Sequence, residues 1–277
     1  MEKIIYDTHM HTPLSRHATG WPVDYAKEAI KKNFKGIIFT DHGTVKQYPW
    51  VTDVWTIPER IFKEYFSLIE FTKEYIGDVL DIRLGLEVDF IPNNLDMDFL
   101  KGLVSCAPFD CLLGSVHCRK PYVWEKYYKT SNLIDAQKRY YEHMTECALS
   151  GLFDTITHPD FVKYAAPYDM WHPEKLEKEV GEFLDAVKKM DICIEVNTSG
   201  LCMPQPSLYP DDFILRMAFE KNIPVTVGSD AHSPDRVGEN FKVAYKKLLE
   251  IGYKEVSYYI KRKRHSYKIE NALTFVS

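Results

Sequence analysis

The sequence predicts an α/β fold in which strands and helices alternate along a single chain. Seven apolar runs have the length of strands and are rich in Ile, Val, Leu or Phe: KIIYDTH, GIIFTDH, DIRLGLEVDF, FDCLLGSVH, FDTITHPD, DICIEVNT and PVTVGSDAH. Runs that are apolar on both faces are typical of parallel strands covered by helices. Seven strand–helix units in 277 residues predict a TIM-type barrel, and an open doubly wound sheet is the alternative.

Amphipathic patterns with a helical period lie between the apolar runs. Several begin with a proline followed closely by an acidic residue, as in Pro22 with Asp24. Proline lacks the amide hydrogen that a first helical turn leaves unpaired, and acidic side chains complement the positive end of the helix dipole. The predicted helices cover residues 22–33, 58–76, 96–106, 132–150, 173–190, 210–222 and 241–251.

The C-terminal stretch EVSYYIKRKRHSYKI alternates and predicts a strand or hairpin that closes the structure. Residues 261–264 form its basic run, KRKR. A solvated edge strand is the simpler interpretation of this run, because lysines on an edge discourage aggregation. Binding of nucleic acid or phosphate is the alternative. No linker or break in composition interrupts the chain, so we expect one domain over residues 1–277.

Composition and charge narrow the function classes. A net charge of −5 makes nucleic acid and anionic membranes poor partners. No apolar run reaches the roughly 18 residues of a membrane span, and polar residues come too early in MEKIIYDTHMH for a signal peptide. Six scattered cysteines without a CxxC pair predict buried free thiols and a reducing, cytoplasmic compartment.

Metal-capable side chains close the apolar runs. One histidine in such a position is usually a satisfied core or surface residue, but the pattern recurs at the end of nearly every predicted strand. The carboxyl ends of parallel strands are where α/β folds build their sites. The residues in these positions are Asp7, His9, His11, Asp41, His42, Glu87, Asp89, His117, His158, Asp160, Asn197, Thr198, Ser199, Asp230 and His232.

Spacing supports a metal site. Residues i and i+2 of an extended strand share a face, so His9 and His11 can bind one metal, and Asp230 and His232 can face the same cavity. Imidazole and carboxylate are typical ligands of Zn²⁺, Mn²⁺ and Fe²⁺. The sequence does not choose among these metals, and it carries no signal of oligomeric state.

The ligands exceed what one metal needs. A carboxylate such as Glu87 can bridge two cations, and Asp7 has the strand parity to orient an imidazole. The set predicts two to three divalent metal ions. The nine candidate ligands are His9, His11, His17, His42, Glu87, His117, His158, Asp230 and His232.

These residues resemble the PHP (polymerase and histidinol phosphatase) family. The successive motifs DTHMHTPLSRH, TDHGT, GLEVDF, GSVH, THPDF and GSDAH span roughly residues 4–260. HxH alone is a weak signal, whereas the ordered series is specific. The resemblance implies a distorted (β/α)7 barrel that holds a trinuclear metal site. Within the family, PFDCLLGSVH, THPDFVKYAAPYD and EVNTSGL look most like histidinol phosphate phosphatases.

The resemblance also implies an allocation of ligands to three metals. One metal takes His9, His11, Glu87 and Asp230; a second shares Glu87 and takes His117 and His158; a third takes His17, His42 and His232. The expected residue type stands at each of these positions. We interpret the remaining histidines, His143, His172 and His265, as structural.

The function implied is hydrolysis of a phosphate monoester, L-histidinol phosphate, to L-histidinol and phosphate, as in histidine biosynthesis. Metal-bound hydroxide is the expected nucleophile, and no GxSxG elbow offers a serine instead. Asp160 and Asp230 are candidates for giving a proton to the leaving alcohol, and Asp160 can equally be a hydrogen-bonding orienter.

Phosphate attracts cationic and hydroxyl side chains. Lys163 is the first candidate, because this position is usually basic in the segment that the sequence resembles. The other candidates are Arg16, Arg119, Ser199 and Arg236. A cationic head group could meet acidic or aromatic side chains at the barrel mouth, for which the candidates are Tyr48, Trp50, Asp89 and Tyr164.

Three alternatives stay open beside this function. A PHP phosphodiesterase or nuclease would need a basic groove, and only residues 261–264 hint at one. A phosphotyrosine phosphatase of the same superfamily is the nearer rival. A non-catalytic, metal-stabilised interaction domain is the third, and the intact ligand set argues against it.

Overall fold

A single nine-stranded sheet in strict chain order forms the centre of the protein. The computed structural model describes residues 3–43, 56–90, 97–118, 123–130, 132–165 and 171–275. Strands β1 to β8 pair in parallel, and β9 pairs antiparallel to β8. The strands are β1 (Tyr6–Asp7), β2 (Gly36–Phe39), β3 (Asp81–Asp89), β4 (Cys111–Ser115), β5 (Thr155–Ile156), β6 (Cys193–Asn197), β7 (Val225–Gly228), β8 (Glu255–Ile260) and β9 (Lys263–Lys268).

Seven of the eight α-helices in the described residues lie within the predicted ranges, and the short last helix, Ile269–Ala272, was not predicted. The predicted helix 22–33 ends early because Asn33 adopts a left-handed conformation with φ 62°, as residues just beyond a helix often do. Predicted helix 96–106 begins one residue before the described range that holds it. The helices are α1 (Pro22–Lys31), α2 (Phe62–Ile76), α3 (Met97–Ser105), α4 (Leu133–Leu149), α5 (Glu177–Lys189), α6 (Asp212–Glu220), α7 (Phe241–Ile251) and α8 (Ile269–Ala272).

The chain after β1 closes the sheet into a barrel. Met10 pairs in parallel with Ala231, which follows β7. The amide of His11 donates to the carbonyl of Ala231 at 3.0 Å, and the amide of Asp230 donates to the carbonyl of His9 at 2.9 Å. This crossing explains why β1 is shorter than its apolar run. The predicted barrel is confirmed as a distorted (β/α)7 barrel. The doubly wound alternative is wrong, because its strand order would reverse part-way along the sheet.

The C-terminal hairpin caps the N-terminal end of the barrel, as an edge strand joined to β8. Its turn residues Lys261 and Arg262 have φ values of 50° and 63°, the left-handed pair typical of tight two-residue hairpin turns. The amide of Lys261 donates to Asp110 at 2.8 Å, and Arg264 binds Asp191 at 2.8 Å. The basic run is therefore exposed on an edge strand, as the simpler interpretation predicted, and it is also anchored to carboxylates that precede the strands.

The interior of the barrel is apolar at this end. Ile38, Cys111, Leu113, Cys193 and Tyr259 pack there as one buried cluster. Free thiols are thus buried at Cys111 and Cys193, and likewise at Cys118 and Cys147, as predicted; Cys106 and Cys202 are exposed instead. Among the described helices, none combines the length and apolar character that a membrane crossing needs. Polar side chains are found instead at the opposite end of the barrel, where the parallel strands end.

Candidate metal centre

Glu87 lies at the middle of a buried cluster of imidazoles at the carboxyl ends of the strands. Its Oε2 lies 3.2 Å from Nε2 of His9 and 3.5 Å from Nε2 of His11. Its Oε1 lies 3.2 Å from Nε2 of His158 and 3.6 Å from Nε2 of His117. Each oxygen therefore faces a different pair of histidines, which is the geometry that a bridging carboxylate requires.

The register of the sheet brings His42 into the same cluster. The backbone of His42 pairs in parallel with that of Glu87 just beyond β2, and Nδ1 of His42 lies 3.4 Å from Oε2 of Glu87. The pairing of β2 with β3 has the same register, Gly36 opposite Asp81, and this register continued past β2 places His42 level with Glu87.

Asp230, beyond β7, completes the cluster from the other side. Its Oδ1 lies 3.2 Å from Nε2 of His11 and 3.6 Å from Nε2 of His9. Ligand atoms of His11, His17 and His232 also lie within 4.8 Å of one another. All nine predicted ligands are therefore brought together.

The grouping of ligands differs in one respect from the implied allocation. His11, rather than His42, groups with His17 and His232, while His42 groups with His11 and Glu87. A second group holds His42, Asp89 and His117. Single ligands shared between neighbouring groups are expected where two or three cations lie close together. The allocation of residues to individual metals stays a prediction.

The orientation of the imidazoles fits metal binding. Four of them point Nδ1 at an oxygen acceptor and Nε2 inward, as metal-ligating histidines usually do. The acceptors are the Glu195 carboxylate for His9, the Ser15 carbonyl for His17, the Asp89 carboxylate for His117 and the Asp230 carbonyl for His232. Each acceptor requires the proton on Nδ1, so the lone pair of Nε2 faces the cluster in the neutral ring.

Buried polar atoms without hydrogen-bond partners provide a second test of fit. Among the described residues, no hydrogen-bond partner reaches the buried Oδ1 of Asp230 or Nδ1 of His42, and the Nε2 atoms of His9 and His11 face each other at 3.1 Å. Unpaired buried acceptors cost free energy unless something compensates them. A divalent cation between these atoms would do so, and the residues therefore fit the implied metals.

The charge states of Glu87 and His11 suit a cation. Burial would raise the pKa of Glu87, but the nearby imidazoles of His42 and His9 hold it well below its usual range. Burial, with His232 and His9 adding to it, lowers the pKa of His11 to about 3 despite the nearby Asp230. An ionised carboxylate beside a neutral imidazole is the ligand state that metal binding needs.

Two strand-end ligands have a strained backbone. His158 and Asp230 have φ values of 30° and 52°, in the left-handed region that residues with a Cβ rarely adopt. Such strain persists only where surrounding contacts hold it, and it is common at functional sites. The amide of His158 donates to Oε2 of Glu195 at 3.2 Å, which is one such contact.

Glu195 is a functional residue that the sequence analysis missed. It lies fully buried in β6 and binds His9. The available signal was a carboxylate in the interior of the apolar run DICIEVNT, two residues before Asn197 and therefore on the same face. Asp7, predicted to orient an imidazole, contacts the backbone of His9 and not its ring: its carboxylate accepts the amide of His9 at 3.4 Å, together with the hydroxyl and amide of Ser229 and the amide of Gly238.

Lys163 and Asp160 form a buried pair beside the cluster. Nζ of Lys163 lies 3.0 Å from Oδ2 of Asp160, 2.6 Å from the carbonyl of Leu208 and 4.4 Å from the centre of the Tyr209 ring. Burial raises the pKa of Asp160 to about 6, although Lys163 opposes it. Asp160 also accepts the amide of Asp211 at 2.9 Å, which fits the predicted alternative of an orienting residue.

The other predicted substrate residues occupy varied positions. Ser199 donates to Oδ2 of Asp230 at 3.1 Å, Arg236 lies 2.8 Å from Glu239, and Arg16 is exposed beside His17. Asp89 binds His117. Arg119, Tyr48, Trp50 and the side chain of Tyr164 lie outside the described residues.

The three histidines interpreted as structural have partners away from the cluster. Nδ1 of His143 lies 2.6 Å from the Tyr128 hydroxyl, His172 pairs with Glu174 at 3.2 Å, and His265 stacks on Tyr258.

The fold and the site together define a metal-binding (β/α)7 barrel. Residues 7–199 match the PHP domain, and residues 212–241 match the PHP-associated region. The chain therefore belongs to the PHP family.

Relatives and a solved structure resemble the chain along almost all of its length. It is 32% identical over 257 residues to a "probable histidinol-phosphatase" of Deinococcus radiodurans, covering 91% of this chain and 95% of that one. It is 30% identical over 276 residues to the histidinol-phosphatase of Bacillus subtilis, covering 88% and 98%. The histidinol phosphate phosphatase of Lactococcus lactis, solved with zinc, L-histidinol and phosphate, superimposes with a TM-score of 0.78 at 21% identity, covering 95% and 99%. This structural likeness confirms the fold.

Proposed function

We propose that this protein is a metal-dependent phosphatase that hydrolyses L-histidinol phosphate to L-histidinol and phosphate. The observation that carries the proposal is the buried cluster of histidines around Glu87, in which the two carboxylate oxygens face different pairs of ligands. The histidinol-phosphatase of Bacillus subtilis, to which the chain is 30% identical over 98% of that protein's length, supports this substrate.

Two to three divalent cations, Zn, Mn or Fe, would be held by the nine clustered residues. We propose His9, His11, Glu87 and Asp230 for one metal and His117 and His158 with Glu87 for a second. For a third we propose His17, His42 and His232, because the ring centre of His17 lies 5.3 Å from that of His42 and 4.5 Å from that of His232; His11, which also groups with His17 and His232, would then lie between the first and third metals. When bound, such cations activate water and neutralise the charge that develops on phosphate.

The residues around the cluster would orient these ligands and the substrate. Ser199 and Asn197 both approach Oδ2 of Asp230, at 3.1 Å and 3.3 Å, and this leaves Oδ1 directed at His11. Asp160 and Asp230 remain our candidates for giving the leaving alcohol its proton. Lys163, Arg119, Arg16 and Ser199 remain our candidates for contacting the phosphate.

The remaining features agree with a small-molecule enzyme. The basic run 261–264 lies at the barrel end opposite the cluster and is engaged by Asp110 and Asp191, so it forms no groove beside the metals for nucleic acid. All six cysteines are free, which supports a reducing, cytoplasmic compartment. We propose a single domain over residues 1–277.

A kinetic comparison tests the substrate. The purified, metal-loaded protein is assayed with histidinol phosphate, p-nitrophenyl phosphate, a phosphotyrosine peptide and a phosphate bis-ester. We expect the highest kcat/KM for histidinol phosphate, because polar contacts to the head group reject analogues that leave them unpaired. Chelator-treated protein is the control. A preference for the bis-ester would indicate a phosphodiesterase, and a preference for the peptide a phosphotyrosine phosphatase.

A further inference from the structure

Glu195 accepts hydrogen bonds from three different strand ends. Oε1 lies 2.8 Å from Nδ1 of His9, and Oε2 accepts the Thr157 hydroxyl, the amide of His158 at 3.2 Å and the side-chain amide of Asn197 at 3.0 Å. A carboxylate offers about four acceptor positions, and here one donor lies at Oε1 and three at Oε2. The carboxylate is buried with no exposed surface, and it therefore acts only through the groups that it binds.

We propose that Glu195 is a positioning residue for the metal centre, which holds His9 and His158 in their ligating geometry. This inference rests on the proposed function, in that it assumes the metals of that site. It does not depend on which phosphate ester is hydrolysed.

The contact with His9 sets the tautomer of that ring. A carboxylate can only accept, so Nδ1 of His9 carries the proton and Nε2 presents its lone pair to Glu87 and Asp230. A ring with the proton on Nε2 could not bind a cation through that atom.

The contact with His158 holds the backbone of a second ligand. His158 has φ 30°, which carries a cost without compensating contacts. Its amide donates to Oε2 of Glu195, and its Nε2 lies 3.2 Å from Oε1 of Glu87. One carboxylate therefore supports ligands that face both oxygens of Glu87.

Packing keeps Glu195 in place. Gly228 lies against it so closely that an added Cβ would collide with Oε1 of Glu195 and lie 2.6 Å from Cβ of His9. The Glu195 carboxylate therefore has no room to move towards Gly228. A fixed carboxylate fixes the His9 ring that is hydrogen-bonded to it.

The variant Glu195→Gln tests this role. It preserves volume, but its amide nitrogen cannot accept, so at least one of the four donors loses its partner. Asp154→Asn is the matched control, because Asp154 is also a buried carboxylate that binds an amide, that of Leu112 at 2.8 Å, at the opposite end of the barrel. Zinc affinity is measured by chelator competition on metal-free protein, with melting temperature beside it.

We expect both variants to lower the melting temperature and only Glu195→Gln to weaken zinc binding, by about 10- to 100-fold, as for other residues that orient metal ligands. Zinc binding by Glu195→Gln within twofold of the wild type would overturn the proposal, as would an equal loss in Asp154→Asn.

A measurement on the wild type covers the case in which Glu195→Gln does not fold. The ¹⁵N spectrum of the zinc-loaded protein should show a proton on Nδ1 of His9, and ligation through Nδ1 would contradict the proposal. The two proposals fail separately. A wild type that binds zinc without hydrolysing histidinol phosphate refutes only the substrate, and unchanged zinc binding in Glu195→Gln refutes only the positioning role.

Discussion

Arg262 and Asp154 form an ion pair at the N-terminal end of the barrel, opposite the metal cluster. Asp154 precedes β5, and its carboxylate also accepts the amide of Leu112 in β4 at 2.8 Å. Arg262 donates in addition to the carbonyl of Leu152 at 2.8 Å. One guanidinium group thus joins the C-terminal hairpin to the segment before β5, and through the Asp154 carboxylate to β4. These contacts lie away from the candidate metal ligands.

We predict that Arg262→Met lowers the free energy of unfolding by about 1–2 kcal/mol, because it leaves a largely buried carboxylate with one partner fewer. Denaturant unfolding measures this change. Lys263→Met is the control, since Lys263 is exposed on the same hairpin. An equal loss in both variants would mean that the ion pair itself contributes nothing. Zinc affinity should stay unchanged in both.

The effect of Arg262→Met should depend on pH. Burial raises the pKa of Asp154 in the folded protein, and Arg262 opposes that rise. Removing Arg262 raises this pKa further, so the folded variant holds its proton to higher pH than the unfolded chain does. Both proteins share the same unfolded state, so the stability of the variant relative to wild type should fall as pH rises from the folded-state pKa of Asp154 in the wild type to its higher folded-state pKa in the variant. A difference that is constant across this window would contradict the prediction.

We predict that Glu87→Gln loses more turnover and more metal than His17→Ala. Glu87 faces two pairs of histidines, whereas His17 groups with His11 and His232 at the edge of the cluster. Removing a residue that only orients a metal ligand typically lowers activity about 10- to 100-fold. The loss of turnover in Glu87→Gln should be larger than that. Elemental analysis and steady-state kinetics on both variants make the comparison. Near-normal metal content in Glu87→Gln would show that Glu87 does not bridge.

Metal removal should destabilise the protein. Oδ1 of Asp230 is buried with no hydrogen-bond partner in the described part of the chain, and the Nε2 atoms of His9 and His11 face each other, so a cation would stabilise these atoms. A ligand present at about 1,000 times its Kd stabilises the folded state by about 4 kcal/mol. Calorimetry with and without chelator should show a lower Tm for the metal-free protein, restored by adding zinc. An unchanged Tm would argue against a buried metal centre.

We predict that Gly228→Ala weakens zinc binding and lowers stability, because its Cβ would collide with Oε1 of Glu195. Gly102→Ala is the control: a Cβ at Gly102, in α3, meets nothing within 4 Å. Alanine there should be neutral or stabilising by up to about 1 kcal/mol, since glycine is unfavourable inside a helix. Similar zinc affinities for the two variants would refute the close packing at Gly228.

The sequence by itself determined the barrel and the nine candidate ligands that cluster in it. Apolar runs of strand length define the strands, and a parallel arrangement in chain order brings every strand end to one side. His9 and His11 share a face because they are two residues apart, and the same spacing relates Asp230 and His232. Such relations follow from local periodicity, which a single sequence contains.

Only the tertiary structure decided which residues support the ligands. Glu195 meets His9 across 186 positions of sequence, and Asp7, with the parity expected of an orienting residue, binds Ser229 and Gly238 instead. Lys163, expected at the phosphate, is buried against Asp160 and the Leu208 carbonyl. A hydrogen bond depends on distances of a few tenths of an ångström between side chains from separate strands. Packing sets those distances, and no periodic pattern along the chain records them.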